Sequence, residues 1–514
     1  MSDITAASTE KTPSWGRGGK AFLALILVVG VADVLFWREV SPGINVPLFW
    51  LALGLPVLWL RRGALNSRPL MIAGGIFIAS VVPLVEAPSW SGVLLALFGI
   101  SLLALAASRR LPRLYEDVTG VLLRFGVLAP FRLLGDSFRL VALGSGQGVG
   151  GRLVRTAITW LVPAGFALAF LILFSEANPL IETALRALRL ENAFDLLQPW
   201  RIVFWGAIAV MAWPLLRPRL LPWPKLKQTQ GPVRPKAESL IFGRAAILRS
   251  LVVFNALFAV QTVLDCVYLW GGVRLPDGLS YADYAHRGAY PLIVTALLAG
   301  AFVLAAMRKN GPAEASPLIR RLVYLWIGQN VLLVVSSILR LDLYVKVYSL
   351  TEMRIAAGIW MGLVAVGLVL ILVKIVQRRS NRWLITSNLA SLGLTLYASS
   401  FVDMPAVIAQ FNVENSRELG GEGQPLDLYY LNELGPSAIP AISYYLDHAQ
   451  GRPEQEVRDF DILAGNMAVD FLNRPRDWRS WTFRAQRLEE YLRANPRFAS
   501  FAPEAKNTAT SPRE

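Results

Sequence analysis

Long apolar runs alternate with short polar segments along most of the chain, and only the last fifth departs from that pattern. A helix needs about 20 mainly apolar residues to cross a bilayer, fewer where flanking side chains snorkel. Eleven runs approach that length: 21–37, 44–60, 69–84, 92–107, 156–174, 202–216, 246–270, 290–307, 322–339, 356–376 and 383–402. Between the fourth and fifth, residues 111–143 are apolar at helical spacing but broken by Arg113, Arg124, Arg132 and Arg139. That segment is too charged to span, and an amphipathic helix pair lying on the cytoplasmic leaflet is expected, with its arginines towards anionic headgroups. The stretch NPLIETALRALRLENAFDLLQPW has a similar pattern, with Asn178 placed to cap and Pro179 in the first turn.

After the eleventh run the hydrophobic spacing shortens. LDLYYLNELGPSAIPAISYYLDHA pairs two short helical patterns around Gly435 and Pro436, the form of a helical hairpin. EQEVRDFDILAGNMAVDFLN and DWRSWTFRAQRLEEYLRANP continue it, the second with Asp477 as a helix cap and Trp478, Trp481 and Phe483 set to rest on the membrane or in the tail's own core. The expected fold is therefore all-α: a polytopic transmembrane protein of about eleven spans with a small C-terminal extramembrane helical domain. Its divisions are a tail 1–20, a membrane region 21–216 with about six spans, a basic, proline-rich linker 217–245, a second membrane region 246–402 with about five spans, and the helical domain 403–514.

Composition supports this class, with 54% hydrophobic and 17% charged residues and a mean hydropathy of +0.46. The net charge of +15 could suggest nucleic acid, but the basic residues sit in short blocks between apolar runs, where membrane topology accounts for them. With the N-terminus in the cytoplasm, 30 lysines and arginines fall in cytoplasmic segments and nine in the outer loops, and the tail carries 12 basic and 17 acidic residues. This asymmetry orients the protein with its C-terminal domain in the periplasm. The first run has a basic flank and no small-residue cleavage signature, so it is expected to remain as a span. A single cysteine, Cys266, excludes an intramolecular disulfide.

Candidate chemistry gathers at the outer ends of the later spans. In LDCVYLWGGVRLPDGLSYADYAHRGAYPLIV, Asp265 ends an apolar run, and Asp283, Arg287 and Tyr290 share a helical stripe bordered by His286. His286, oriented by Asp283, could serve as a general base or proton carrier. Arg287, Tyr281 and Tyr284, with Arg340, Asp342 and Arg354 from the same leaflet, could bind an anionic substrate. The competing explanation is a polar lid in which Asp283 and Arg287 form a helix-end ion pair and the tyrosines belong to the aromatic belt. Only two histidines exist, His286 and His448, so no metal or cofactor site is expected. GSGQGVGGR matches the glycine spacing of nucleotide folds but follows no strand and lacks the closing Lys-Ser/Thr.

LDCVYLWGG, GLSYADYAHRGAYPLIVTALLAG and LDLYYLNELGPSAIPAI resemble bacterial multi-pass membrane proteins of the domain-of-unknown-function family numbered 4173, and more distantly that numbered 4153, over roughly 246–446. The resemblance implies a bacterial inner-membrane protein and brings no reaction, cofactor or catalytic residue with it. Three functions compete. The first is an envelope interaction or sensing role through 403–514, with the lipid bilayer and envelope proteins as partners and no nucleic acid. The second is transport of a small or anionic solute along Asp33, Gln261, Asp265, Gln329 and Asn330. The third is a membrane transferase working at Asp283, His286 and Arg287.

Overall fold

A computed structural model describes residues 15–37, 40–61, 67–112, 115–129, 131–133, 135–136, 198–220, 244–270, 298, 302, 316–421, 423–475 and 477–501, and among them the fold is all-helical. The chain divides into two compact units, 1–223 with 477–482, and 224–476 with 483–514.

The first unit contains α1 (Trp15–Phe36), α2 (Asn45–Trp59), α3 (Arg68–Glu86), α4 (Trp90–Ala107), α5 (Tyr115–Leu128) and α6 (Pro199–Leu216). These helices are apolar on both their packed and their open faces. On α1, Ala21, Ala24, Val28, Ala32 and Leu35 are buried while Phe22, Leu23, Ile26 and Leu27 are exposed, the distribution expected when lipid is the solvent. The α3–α4 hairpin packs most closely at Gly99, where an added Cβ would collide with Ser80 and the Phe77 backbone, as small residues allow in membrane helix pairs. Ser89 caps α4 by accepting from the Gly92 N–H at 3.1 Å, and Ser80 returns its hydroxyl to the Phe77 carbonyl at 2.7 Å, so neither polar group is left unsatisfied in the apolar layer. The amphipathic segment contains α5, whose Val118, Val121, Leu122 and Phe125 pack on the unit's core.

The second unit contains α7 (Arg244–Asp265), continued by a π-helical turn over Cys266–Trp270, then α8 (Pro317–Tyr348), α9 (Glu352–Val376), α10 (Asn381–Ser399) and α11 (Met404–Glu414). At 1.5 Å per residue α8 is about 48 Å long, so it exceeds a hydrocarbon core of about 30 Å and can project beyond it. The tail continues with α12 (Leu428–Glu433), α13 (Ile439–His448), α14 (Glu454–Leu472), α15 (Phe483–Ala494) and the short α16 (Pro496–Ala499). Its core is separate, built on Ile408, Leu431, Ile442, Tyr445, Phe460, Ala464, Leu492 and Phe498. Gly435, at φ +70°, makes the turn of the expected hairpin.

The span pattern is met in part. Among the described residues six helices are long and apolar enough to cross a membrane, or seven if α10 and α11, bent by 68°, count as one. The eleven expected are not all of this kind. The runs in α2 and α6 are apolar but shorter, 156–174 lies outside the described residues, and so does 290–307 apart from residues 298 and 302. The last run ends at Asp403, which caps α11 by accepting from Ala406 N–H at 3.3 Å and also accepts from Ser437 Oγ at 2.9 Å. Asp403 thus lies at the 68° bend between α10 and α11, capping the second helix and bonded to the tail.

Candidate functional site

Asp265, the last residue of α7, lies against Arg340 of α8. The side chains are 2% and 6% exposed, and an Arg340 Nη2–Asp265 Oδ1 ion pair joins them. Gln261, one turn earlier, donates to the same carboxylate oxygen at 2.9 Å. In so dry a setting the pair's mutual attraction is offset by the cost of taking both charges out of water, so its principal effect is to lock the two helices in register.

Below the ion pair runs a second polar group. Asn255 Nδ2 donates to the carbonyls of Leu251 (2.7 Å) and Leu322 (3.2 Å), Gln329 Nε2 donates to the Asn255 carbonyl (3.1 Å), and Asn330 Nδ2 donates to that of Trp326 (2.7 Å). Asn255 thus meets α8 at residues 322–329, and Asp265 meets it at 340, so α7 and α8 run in the same direction. The amide oxygens of Asn255, Gln329 and Asn330 are buried and accept no hydrogen bond among the described residues. Trp326 stacks on Phe254 at 5.6 Å and closes one side of this group.

Where α8 ends, the chain turns through Ser349 at φ +67°, a conformation that costs a side-chain-bearing residue energy. Arg354 holds that turn. Its guanidinium donates to the carbonyls of Tyr348 (2.6 Å) and Ser349 and stacks on Tyr344 at 4.4 Å. The tail grips the next residue, since Asn412 accepts from Leu350 N–H at 2.6 Å and donates to its carbonyl at 3.0 Å. Between the turn and α12 lies a cavity of about 420 Å³ lined by Tyr348, Leu350, Asn412, Gln424, Asp427 and Tyr430, among others. Burial pushes the Tyr430 phenol above its ordinary value.

Of the residues singled out in the sequence, the structure unites Asp265 with Arg340. It spends Arg354 on the α8 turn and pairs Asp342 with Lys346 one turn on at 2.8 Å, an exposed pair of small consequence. Tyr281, Asp283, Tyr284, His286 and Arg287 lie outside the described residues. His448 is exposed at the end of α13 and bonds the Tyr444 carbonyl through Nδ1 at 2.8 Å. In the first unit Asp33 is paired with Arg201 at 2.5 Å and accepts from Trp205 Nε1 at 2.9 Å.

Sequence reasoning missed the segment 477–482. Asp477 does not cap the long helix. It caps a 3-10 turn, Trp478–Ser480, and α15 begins only at Phe483. Neither Trp478 nor Trp481 joins the tail core. Within the first unit Arg479 pairs with Asp477 at 2.6 Å and donates to the carbonyls of Val34 (2.8 Å) and Trp37 (3.3 Å) at the end of α1. The Trp481 carbonyl accepts from Ile44 N–H at 2.7 Å, and a Cβ at Gly43 would strike the Ser480 backbone.

The hydrogen bonds from Arg479 hold the Asp477 carboxyl below its ordinary value of 3.8. A depressed carboxyl contributes its stabilisation above its unfolded pKa and loses it as pH falls through the folded one. Hydrogen exchange at Ile44 and 477–482 should therefore show protection at pH 7 that is lost below about pH 4. Asp477→Asn and Gly43→Ala should each lose it already at pH 7, and protection unchanged in both variants would contradict this account.

A family model described as a domain of unknown function, DUF4153, matches residues 73–445. No curated protein and no solved structure matches. The match is to the more distant of the two families that the sequence resembles, the 4173 family is not shown, and the matched region extends well into the first unit.

Proposed function

The chain belongs to the DUF4153 family, and on that footing we propose that it is a bacterial inner-membrane protein whose periplasmic helical tail binds or senses an envelope component. The observation that carries this proposal is the joint between the tail and the α8–α9 turn. Asn412 fixes Leu350 from both sides, Leu350 and Ile355 pack on the tail core, and the 420 Å³ cavity opens beside them. A ligand or partner that changes this joint acts on α8, which carries Arg340. A cavity lined by aromatic and aliphatic side chains with a few convergent polar groups is the usual form of a small-molecule or peptide site.

The orientation, N-terminus inside and tail outside, draws support from the basic asymmetry, and the helix directions fit the expected alternation of spans. The start of α6 meets the end of α1 through Arg201 and Asp33. Arg61, just after α2, donates to the Leu216 carbonyl at the end of α6. The shared direction of α7 and α8 fits an odd number of crossings between them. A membrane-impermeant maleimide should label Tyr429→Cys but not Arg379→Cys in intact, outer-membrane-permeabilised cells lacking Cys266. The opposite pattern would remove the periplasmic tail.

A second reading, solute transport, is favoured by the buried amide oxygens of Asn255, Gln329 and Asn330. One complementation experiment separates the two. If the tail is the working part, Gln424→Trp and Tyr430→Ala, both at residues that line the cavity, should fail to restore a deletion strain's envelope phenotype. Gln329→Leu and Asn330→Leu should restore it. Transport requires the reverse.

A further inference from the structure

Where α2, α4 and α6 finish, at one end of the first unit, five arginines gather, and among the described residues Asp136 is the carboxylate that meets Arg132, Arg217 and Arg219. Arg61 follows α2, Arg110 follows α4, Arg132 follows α5, and Arg217 and Arg219 follow α6. Arg61 feels the charge of Arg110, Arg132 feels Asp136, Arg110 and Arg219, and Arg217 feels Arg219 and Asp136. That acid is already committed, because Asp136 is buried and accepts from Arg219 at 2.8 Å and from Trp213 Nε1 at 3.2 Å.

Donors remain. Nη1 of Arg61 and both Nη atoms of Arg132 are buried and have no hydrogen-bond partner among the described residues. Their side chains are held in place: Arg132 lies over the Phe125 ring at 5.3 Å, and Arg61 donates through Nη2 to the Leu216 carbonyl at 3.3 Å. Burial, with neighbouring guanidinium groups adding to it, pushes Arg61 and Arg132 below the ordinary arginine value, yet guanidinium keeps its proton in proteins. The charge must be met by an anion, and the chain around the site offers few. Residues 108–155 and 217–249 hold 16 basic side chains and four acidic ones.

We propose that this cluster binds phosphate, supplied by the headgroup of an anionic phospholipid. Planar guanidinium forks match phosphate oxygens in pairs, which ammonium groups do not. The lipid source is favoured by the neighbouring helix. Leu123 and Val127 of α5 and Phe131 beyond its end are exposed at four-residue spacing, an apolar stripe suited to acyl chains beside arginines at headgroup depth. The site depends on neither the tail nor the orientation of the protein.

The test uses the purified full-length protein in neutral detergent. Phosphatidylglycerol should raise its thermal midpoint saturably, and phosphatidylcholine or potassium chloride at matched ionic strength should not. Arg132→Gln should raise the half-saturating lipid concentration about 10- to 100-fold, the loss of one charge-assisted hydrogen-bonding group. Arg132→Lys, which keeps the charge and the fold but not the fork, should fall between. If Arg132→Gln does not accumulate, the lysine variant and native mass spectrometry of the wild type, expected to retain phosphatidylglycerol in preference to phosphatidylcholine, take its place. Saturation by inorganic phosphate alone, with the same dependence on Arg132, would overturn the lipid source. No response to either phosphate source, or an equal response in the variants, would overturn the site.

Discussion

Replacing Asp265 with alanine should destabilise the second unit by about 3–5 kcal/mol and sharply lower the amount of protein in the membrane, because it leaves a buried guanidinium without its carboxylate. Arg340 is only 6% exposed, so it cannot recover the lost interaction from water without moving α8. Converting both partners to apolar residues of similar size, Asp265→Leu with Arg340→Met, should restore most of the loss, since the desolvation cost disappears along with the attraction. Denaturant titration in detergent micelles reads the difference. A double variant as unstable as the single one would show that the pair contributes hydrogen bonding that hydrophobic packing cannot replace. Complementation then separates structure from function: if the pair serves only to align α7 and α8, the double variant should work. A stable but inactive double variant would place the ion pair in the mechanism, and with it the transport reading.

Much of this pair was legible in the sequence. Asp265 and Arg340 are isolated opposite charges at the ends of two apolar runs, and the basic asymmetry puts both ends at the same leaflet. Their contact across 75 residues was not legible, because several charges share that leaflet and spacing along one helix says nothing about its neighbour. Asp33 shows the same limit. The sequence offers it as a residue that could line a transport path, and its partners Arg201 and Trp205, both in α6, are not legible there. A rule that pairs lone charges at equal depth would have found both contacts.

The arginine cluster was legible in part: Arg132 belongs to a segment whose arginines are expected to face anionic headgroups, but its meeting with Arg61, Arg217 and Arg219 was not. Positive charge on the loops is also what membrane topology requires, so the sequence does not separate a built site from a loop that merely sets orientation. Only the burial of Arg61 and Arg132, together with the prior engagement of Asp136, separates a binding cluster from an ordinary basic loop. Segment 477–482 failed through local ambiguity. An aspartate before an amphipathic pattern is a good helix cap, but Trp481 is extended at φ −63°, ψ 136°, so the chain turns once before the helix starts.

The tail should yield separately from the membrane helices, and Phe460→Ala is the change that shows it. Phe460 is 2% exposed and packs against the fully buried Tyr445 with ring centroids 4.5 Å apart. Removing so large a ring from a closed core costs about 3–5 kcal/mol through lost transfer energy and the cavity left behind. Tyr445 suffers as well, because its hydroxyl reaches Glu456 at 2.5 Å and depends on the ring staying in place. That core is built from α11 to α16 and touches the membrane helices of its own unit through Leu350 and Ile355, so the loss should remain local. Hydrogen exchange in 404–475 and 483–501 should rise severalfold or more while α7 to α9 keep their protection. If α7 and α8 open together with the tail, the joint at Leu350 is rigid enough to make the second unit one cooperative body, and a signal at the tail would then reach Arg340 directly. If only the tail opens, the turn at Ser349 is a hinge, and sensing depends on Asn412 keeping its two bonds to Leu350.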